Sequence, residues 1–287
     1  MQIRFLSAAL ALAALGSLAP LAADPAPPPA LAPTALQYTP TNLNDHHTLR
    51  VDITQVLLAD AETGMKGYAQ GEVKLTTPAP APGDTGVAVC VTLTKLRQQM
   101  SGHALKALPP DPLLLRLDGS ASLTGAPCQE KPATGEILSQ GGLPLQAVAV
   151  ICAVPQLPDH PVSPGDTWQR TRTYDFPGLG NATVNLTTTL VSLQAGVATL
   201  NSHLVMHVPD FDADNPVLPG QKIKVHNLVV EVTDLTQQYD CATSVVLQAA
   251  GKLKATLEAN APDLSLPLEM RATISYSPPP PAAPGKP

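Results

Sequence analysis

The sequence predicts a mainly β fold, with α+β as its variant: one long, curved antiparallel sheet whose two related β-rich halves are joined by a single apolar helix. Three observations predict it. Hydrophobicity alternates with a period of two over most of the chain, as it does in half-buried strands. The segment 143–158, LPLQAVAVICAVPQLP, breaks that alternation by being apolar at nearly every position. An Asp-led turn of small residues occurs twice, at Asp118 in LRLDGSASLTG and at Asp240 in QQYDCATSVVLQAAG, each ahead of a new alternating run.

Taken in order, residues 1–23 carry Arg4 ahead of an apolar Ala/Leu run and read as a signal peptide, too short and Pro-interrupted for a comfortable membrane span. The mature chain is expected to start near Asp24, exported to the periplasm or beyond, with no membrane span after cleavage. Residues 24–40 are Pro/Ala-rich and read as an extended, solvated linker, and 277–287 as a Pro-rich tail. Between them lie an N-terminal β-rich half, 41–142, the connecting segment 143–158, read as helix, and a C-terminal β-rich half, 159–276.

Within the halves, Leu49, Val51 and Ile53 alternate, as do Val87, Val89 and Val91, and Leu200, Leu204, Met206 and Val208 share a face. In LSLPLEMRATISY the apolar positions run from Leu264 to Tyr276, and Pro267, which cannot donate to a ladder, calls for an edge or a break. In KIKVHNLVVEV the apolar phase moves from Val225 to Leu228, which predicts a β-bulge at His226 and Asn227. In LPDHPVSPGDTWQRTRTYDF, Pro164 and Gly165 supply a turn, Asp166 caps it, and a strand begins at Thr167. Trp168, Arg170, Arg172, Tyr174 and Phe176 share one face of that strand, and Trp168 is read as a core anchor at the start of the second half.

With 17 Lys+Arg against 23 Asp+Glu, net charge −6 and no basic cluster, nucleic acids and anionic membrane surfaces are disfavoured partners. The four cysteines, Cys90, Cys128, Cys152 and Cys241, are disulfide candidates in an oxidising compartment, with three full pairings open; their wide spacing argues against zinc. His46 and His47 point to opposite faces of an extended chain, and His203 and His207 lie too far apart along a strand to share an ion; all four read as solvated. Asp210, Asp212 and Asp214 have the spacing that opens a calcium loop, but Asn215 and Gln221 stand where that loop needs Gly and Glu, so calcium is only an alternative and no metal or cofactor is expected. No G-x-S-x-G, H-E-x-x-H or phosphate-binding Gly loop occurs, which points to a non-enzymatic protein.

The element P-V-x-x-G-D-x-W, from Pro161 to Trp168, followed by paired strands and an Asp-led turn, resembles a family of exported, β-rich bacterial proteins to which no activity is attached. A long curved antiparallel sheet with one helix is also similar in architecture to the half-barrel lipid carriers of the bacterial envelope. That likeness implies a concave apolar surface. Aromatic residues are only 3% of the chain, which leaves few platforms for sugars, whereas Leu253, Leu257, Leu266, Leu268 and Met270 are placed to line an apolar ligand site. The alternative is a structural or interaction domain of the cell envelope with a self-filled core and protein partners. Cavity volume separates the two, because a carrier needs an apolar hollow of several hundred cubic ångströms.

Overall fold

The computed structural model describes residues 32–41, 43–57, 65–78, 86–100, 106–107, 111–124, 128–129, 145–176, 180–214, 222–261 and 264–279. The expected signal peptide and the last residues of the tail lie outside them. The fold is mainly β, as the alternation predicts, with one helix among the described residues.

Thirteen strands form one antiparallel sheet. They are β1 (Asn44–Leu57), β2 (Met65–Thr76), β3 (Val87–Met100), β4 (Lys106–Ala107), β5 (Asp111–Leu117), β6 (Cys128–Gln129), β7 (Thr167–Phe176), β8 (Gly180–Gln194), β9 (Val197–Val208), β10 (Phe211–Asp214), β11 (Lys222–Asp240), β12 (Val245–Ala261) and β13 (Leu264–Ser277). The order across the sheet is β6-β5-β3-β2-β1-β13-β12-β11-β9-β8-β7, with β4 beside β3 and β10 beside β11. The first and last strands therefore pair at the centre, Val51 opposite Ile274, and each half of the chain builds one wing. The outermost strands, β6 and β7, are consecutive in sequence. Their connection has to cross from one edge of the sheet to the other, and the helix α1 (Leu145–Ala153) lies on that crossing.

The helix forms because LQAVAVICA combines strong helix formers with a length that suits burial on several sides. Leu145, Val148, Ala149 and Cys152 are buried, and α1 packs on β3 and β12, on either side of the central pair. Pro155 ends it, since the residue before a proline is driven out of helical backbone.

Alternation is visible in the burial of every long strand. In β9 the even residues from Ala198 to Val208 are buried, and the odd ones face outward. The outer face carries exposed ion pairs such as Arg50–Asp52 at 2.8 Å and Lys95–Glu72 at 2.9 Å, which contribute little stability but keep that face wet. Phase slips fall where the ladder is irregular. The predicted bulge is present, with Asn227 at φ 53° between the shifted pairs at His226 and Val229. Further register shifts were not predicted; those at Asp234 (φ 53°) in β11 and Lys95 (φ 51°) in β3 each move the buried set by one position. Pro267 lies in a central strand, not an edge strand. It pairs with Glu258 on β12, while β1 stops opposite Leu268, so on the β1 side Pro267 has no partner strand among the described residues.

Three expectations need correction. Residues 34–40 are extended but not solvated: Leu36 and Tyr38 are buried, and the segment is a strap sewn to the sheet. Thr34 exchanges hydrogen bonds with Val162, the Tyr38 N–H donates to Gly119 O at 2.7 Å, and the Thr39 N–H donates to Ser244 Oγ at 3.0 Å. His47 is not solvated either; it is buried and stacks on Tyr276 with ring centroids 4.4 Å apart. Cys90, Cys152 and Cys241 are unpaired thiols. Leu114 pairs with both Cys90 and Cys128, which puts those two Cα atoms two strand spacings apart, roughly 10 Å, beyond disulfide reach.

Candidate ligand cavity

A hollow of about 50 Å³ lies between α1 and the inner face of the sheet. Its walls come from both wings. Leu113 and Leu115 of β5 meet Arg170 and Arg172 of β7, Val184 and Leu186 of β8, Ser202, Leu204 and Met206 of β9, and Leu235 and Gln237 of β11. Ala147, Val150 and Ile151 of α1, with Val154 and Gln156, close the top. Strands near opposite ends of the sheet order share one hollow, so the sheet curls until its edges face each other across the helix. This is the curvature that the one-sided alternation predicts.

Polar groups fix the cover in place. Gln237 Nε2 donates to the carbonyls of Ile151 and Cys152, each at 3.1 Å, satisfying orphan acceptors at the end of α1. Gln156 Nε2 donates to Ala121 O at 2.8 Å. Arg170 reaches Leu157 O at 3.3 Å and Asp159 at 3.2 Å, and hydrogen bonds from His160 and Arg170 hold the Asp159 carboxyl down at about 2.

Six buried side-chain polar atoms lack a hydrogen-bond partner among the described residues, and three of them, Gln156 Oε1, Arg170 Nε and Arg172 Nε, belong to residues that line this hollow. Buried polar atoms are nearly always satisfied, so three such atoms give this hollow unmet hydrogen-bonding capacity. Asp118 stands near Arg172 but is otherwise engaged. Its Oδ1 accepts from Ser120 N at 2.8 Å, Ser120 Oγ at 2.7 Å and Ser122 N at 3.0 Å. Partial burial works against its charge, but these hydrogen bonds and Arg172 outweigh it and hold the carboxyl below the usual range.

The residues singled out in the sequence fall in several places. In the Pro164–Gly165 turn, Ser163 N donates to Asp166 Oδ2 at 2.8 Å and Gly165 takes φ 98°. Trp168 is buried on the inner face of β7. Leu253 is buried, and Leu257 and Met270 pack against the core. Leu257 pairs with Leu268, and Leu253 lies two pairs further along on the same face, but none of these lines the hollow. The side chain of Leu266 lies outside the described residues.

The calcium alternative does not form as a loop. Phe211–Asp214 is strand β10, with Asp212 opposite Lys224 and Asp214 opposite Lys222, and Asp210 pairs with His226 Nδ1. Among the described residues no three His, Cys, Asp or Glu groups gather as a metal site would require. Nor is any helix there long and apolar enough to cross a membrane. Burial pushes the Cys152 thiol up to about 12, which makes it unreactive in place.

Sequence reasoning passed over Gln156 and Gln237 and gave Arg170 and Arg172 no role. A signal was present: two arginines share a strand face with a tryptophan read as buried, and charge on an inward face calls for a partner.

No family model matches the chain, and no curated protein matches it. Among solved structures it is similar to DynF from the dynemicin biosynthesis pathway of Micromonospora chersina, at 11% identity over 87% of each chain and a TM-score of 0.24. A likeness of that size carries no argument about either fold or function.

Proposed function

We propose that this is an exported, non-enzymatic binding protein whose ligand is an apolar or amphipathic molecule held between α1 and the concave face of the sheet. The observation that carries this reading is the hollow itself, with its aliphatic walls, convergent polar groups and unpartnered Gln156, Arg170 and Arg172 atoms. That combination is how small-molecule sites are built. Methylene burial at about 0.8 kcal/mol each lets an alkyl chain bind without a conspicuous motif. At about 50 Å³ the hollow holds a few waters, so a longer chain needs α1 and the 154–158 segment to draw back from the sheet. The resemblance of Pro161–Trp168 to exported β-rich proteins belongs to the same reading and supports export.

The small volume favours a second reading, an envelope structural or interaction domain whose core is filled by its own side chains. Native mass spectrometry and lipid extraction of protein purified from its own host separate the two. A stoichiometric apolar or amphipathic adduct supports the binding protein. A clean apo mass, with no thermal shift across a panel of alkyl ligands, leaves the structural reading. N-terminal sequencing of the same material tests export, with a first residue near Asp24 expected.

A further inference from the structure

We propose that the cavity's ligand is a single-chain amphiphile with an anionic head, a medium-chain carboxylate, whose oxygens are received by Arg172 and Arg170; this rests on the reading that the cavity binds a ligand at all. The walls select the chain. Leu113, Leu115, Val184, Leu186, Leu204 and Met206 offer only hydrocarbon and thioether surface from both wings of the sheet.

The head is selected by what the arginines lack. Both Nε atoms are buried without an acceptor, and an N–H left so in apolar surroundings is costly. The nearby carboxylates do not supply one. Asp118 attracts Arg172 but makes no hydrogen bond to its Nε, its Oδ1 being held by Ser120 and Ser122, and Asp159 is exposed and meets Arg170 only through Nη1, leaving Nε open. An anionic oxygen is the acceptor a guanidinium holds best, and the planar fork of arginine matches a carboxylate. Arg170 and Arg172 stand on the same face of β7, roughly 7 Å apart along the strand, close enough for one head group to meet both long side chains. Gln156 Oε1, the orphan acceptor of the same hollow, is left for a water or a hydroxyl of the ligand. General electrostatics does not produce this preference, since the chain carries net charge −6 and would repel a free anion.

The test compares dodecanoate, dodecanol and dodecyltrimethylammonium, each below its micelle threshold at neutral pH, by calorimetric titration of the mature chain. The expected result is one-to-one binding, with dodecanoate about tenfold or more tighter than dodecanol and the cation weakest. Arg172→Gln should collapse the acid-to-alcohol ratio, and Arg172→Lys should keep part of it. Equal affinity for acid and alcohol in the unaltered protein would overturn the anionic head and leave the cavity reading intact. No binding by any of the three would overturn both. The ligand comparison needs no variant, so a misfolded Arg172→Gln would not shelter the proposal.

Discussion

Trp168 donates its indole N–H to the carbonyl oxygen of Gln156 across 3.0 Å, and through that bond β7 holds the segment that follows α1. The ring is buried, 6% exposed, at the point where the second half of the chain begins. Trp168→Ala should therefore cost about 3 to 5 kcal/mol, the usual loss for a buried aromatic. Trp168→Phe should cost less, about 1 to 3 kcal/mol, because it keeps the ring but leaves the Gln156 carbonyl unpaired. Denaturant unfolding measures both, and an unchanged midpoint in the alanine variant would remove the anchoring role.

The strap rests on a comparable bond. Tyr239 Oη donates to Gln37 O at 2.6 Å, and Tyr239 stacks near Tyr38 with centroids 6.5 Å apart. Burial raises the Tyr239 hydroxyl to about 12, so it stays a donor through any physiological pH. Tyr239→Phe should lower stability by about 1 kcal/mol and speed hydrogen exchange of the Tyr38 and Thr39 amides. Exchange that matches the unaltered protein would show that the strap is held by packing alone.

The pH dependence of stability should carry a contribution from His47. Burial holds its pKa below the ordinary value, overcoming the attraction of Asp45 and a hydrogen bond to the Leu247 backbone, and its Nδ1 has no partner among the described residues. The unfolded chain then binds the proton more readily than the native one. Stability from this group is complete above the unfolded value, about 6.5, and is lost as pH falls from there through the folded value. Thermal melts from pH 8 to 5 should show the decline, and His47→Gln should flatten it. Asp118 and Glu269, both held below their ordinary values, act in the same direction but in a more acidic window.

Parity along each strand was the legible part of this fold, and its misreadings follow from residue type. His47 lies in register with Leu49, Val51 and Ile53, yet a histidine beside Asp45 and His46 looks solvated; its partners in the interior, the Tyr276 ring and the Leu247 backbone, are distant in sequence. Leu36 and Tyr38 alternate correctly inside a Pro-rich stretch, where composition outweighed pattern. The bulge at Asn227 was legible in the step from Val225 to Leu228; the step from Val232 to Leu235 across Asp234 carries the same phase change and was passed over. The cavity was the least legible feature. It depends on β5 and β7 converging across α1, a relation set by the whole sheet, so the long C-terminal strands attracted the ligand assignment and the two inward arginines did not.

The β8–β9 hairpin offers a prediction with opposite signs at adjacent positions. Gln194 pairs with Val197, and the two residues between them, Ala195 and Gly196, both take positive φ, at 49° and 82°. Such a two-residue turn matches the twist of the strands, but it suits Asn-Gly and strains alanine, whose Cβ crowds the carbonyl in left-handed backbone. Ala195→Asn should therefore stabilise the protein by about 0.5 to 1 kcal/mol, since asparagine tolerates that conformation. Gly196→Ala should destabilise it by about 1 kcal/mol or more through conformation alone, because a Cβ there would meet nothing within 4 Å. Neither residue lines the hollow, so both variants should leave it unchanged. Melting temperatures that moved in the same direction for the two would contradict the turn geometry.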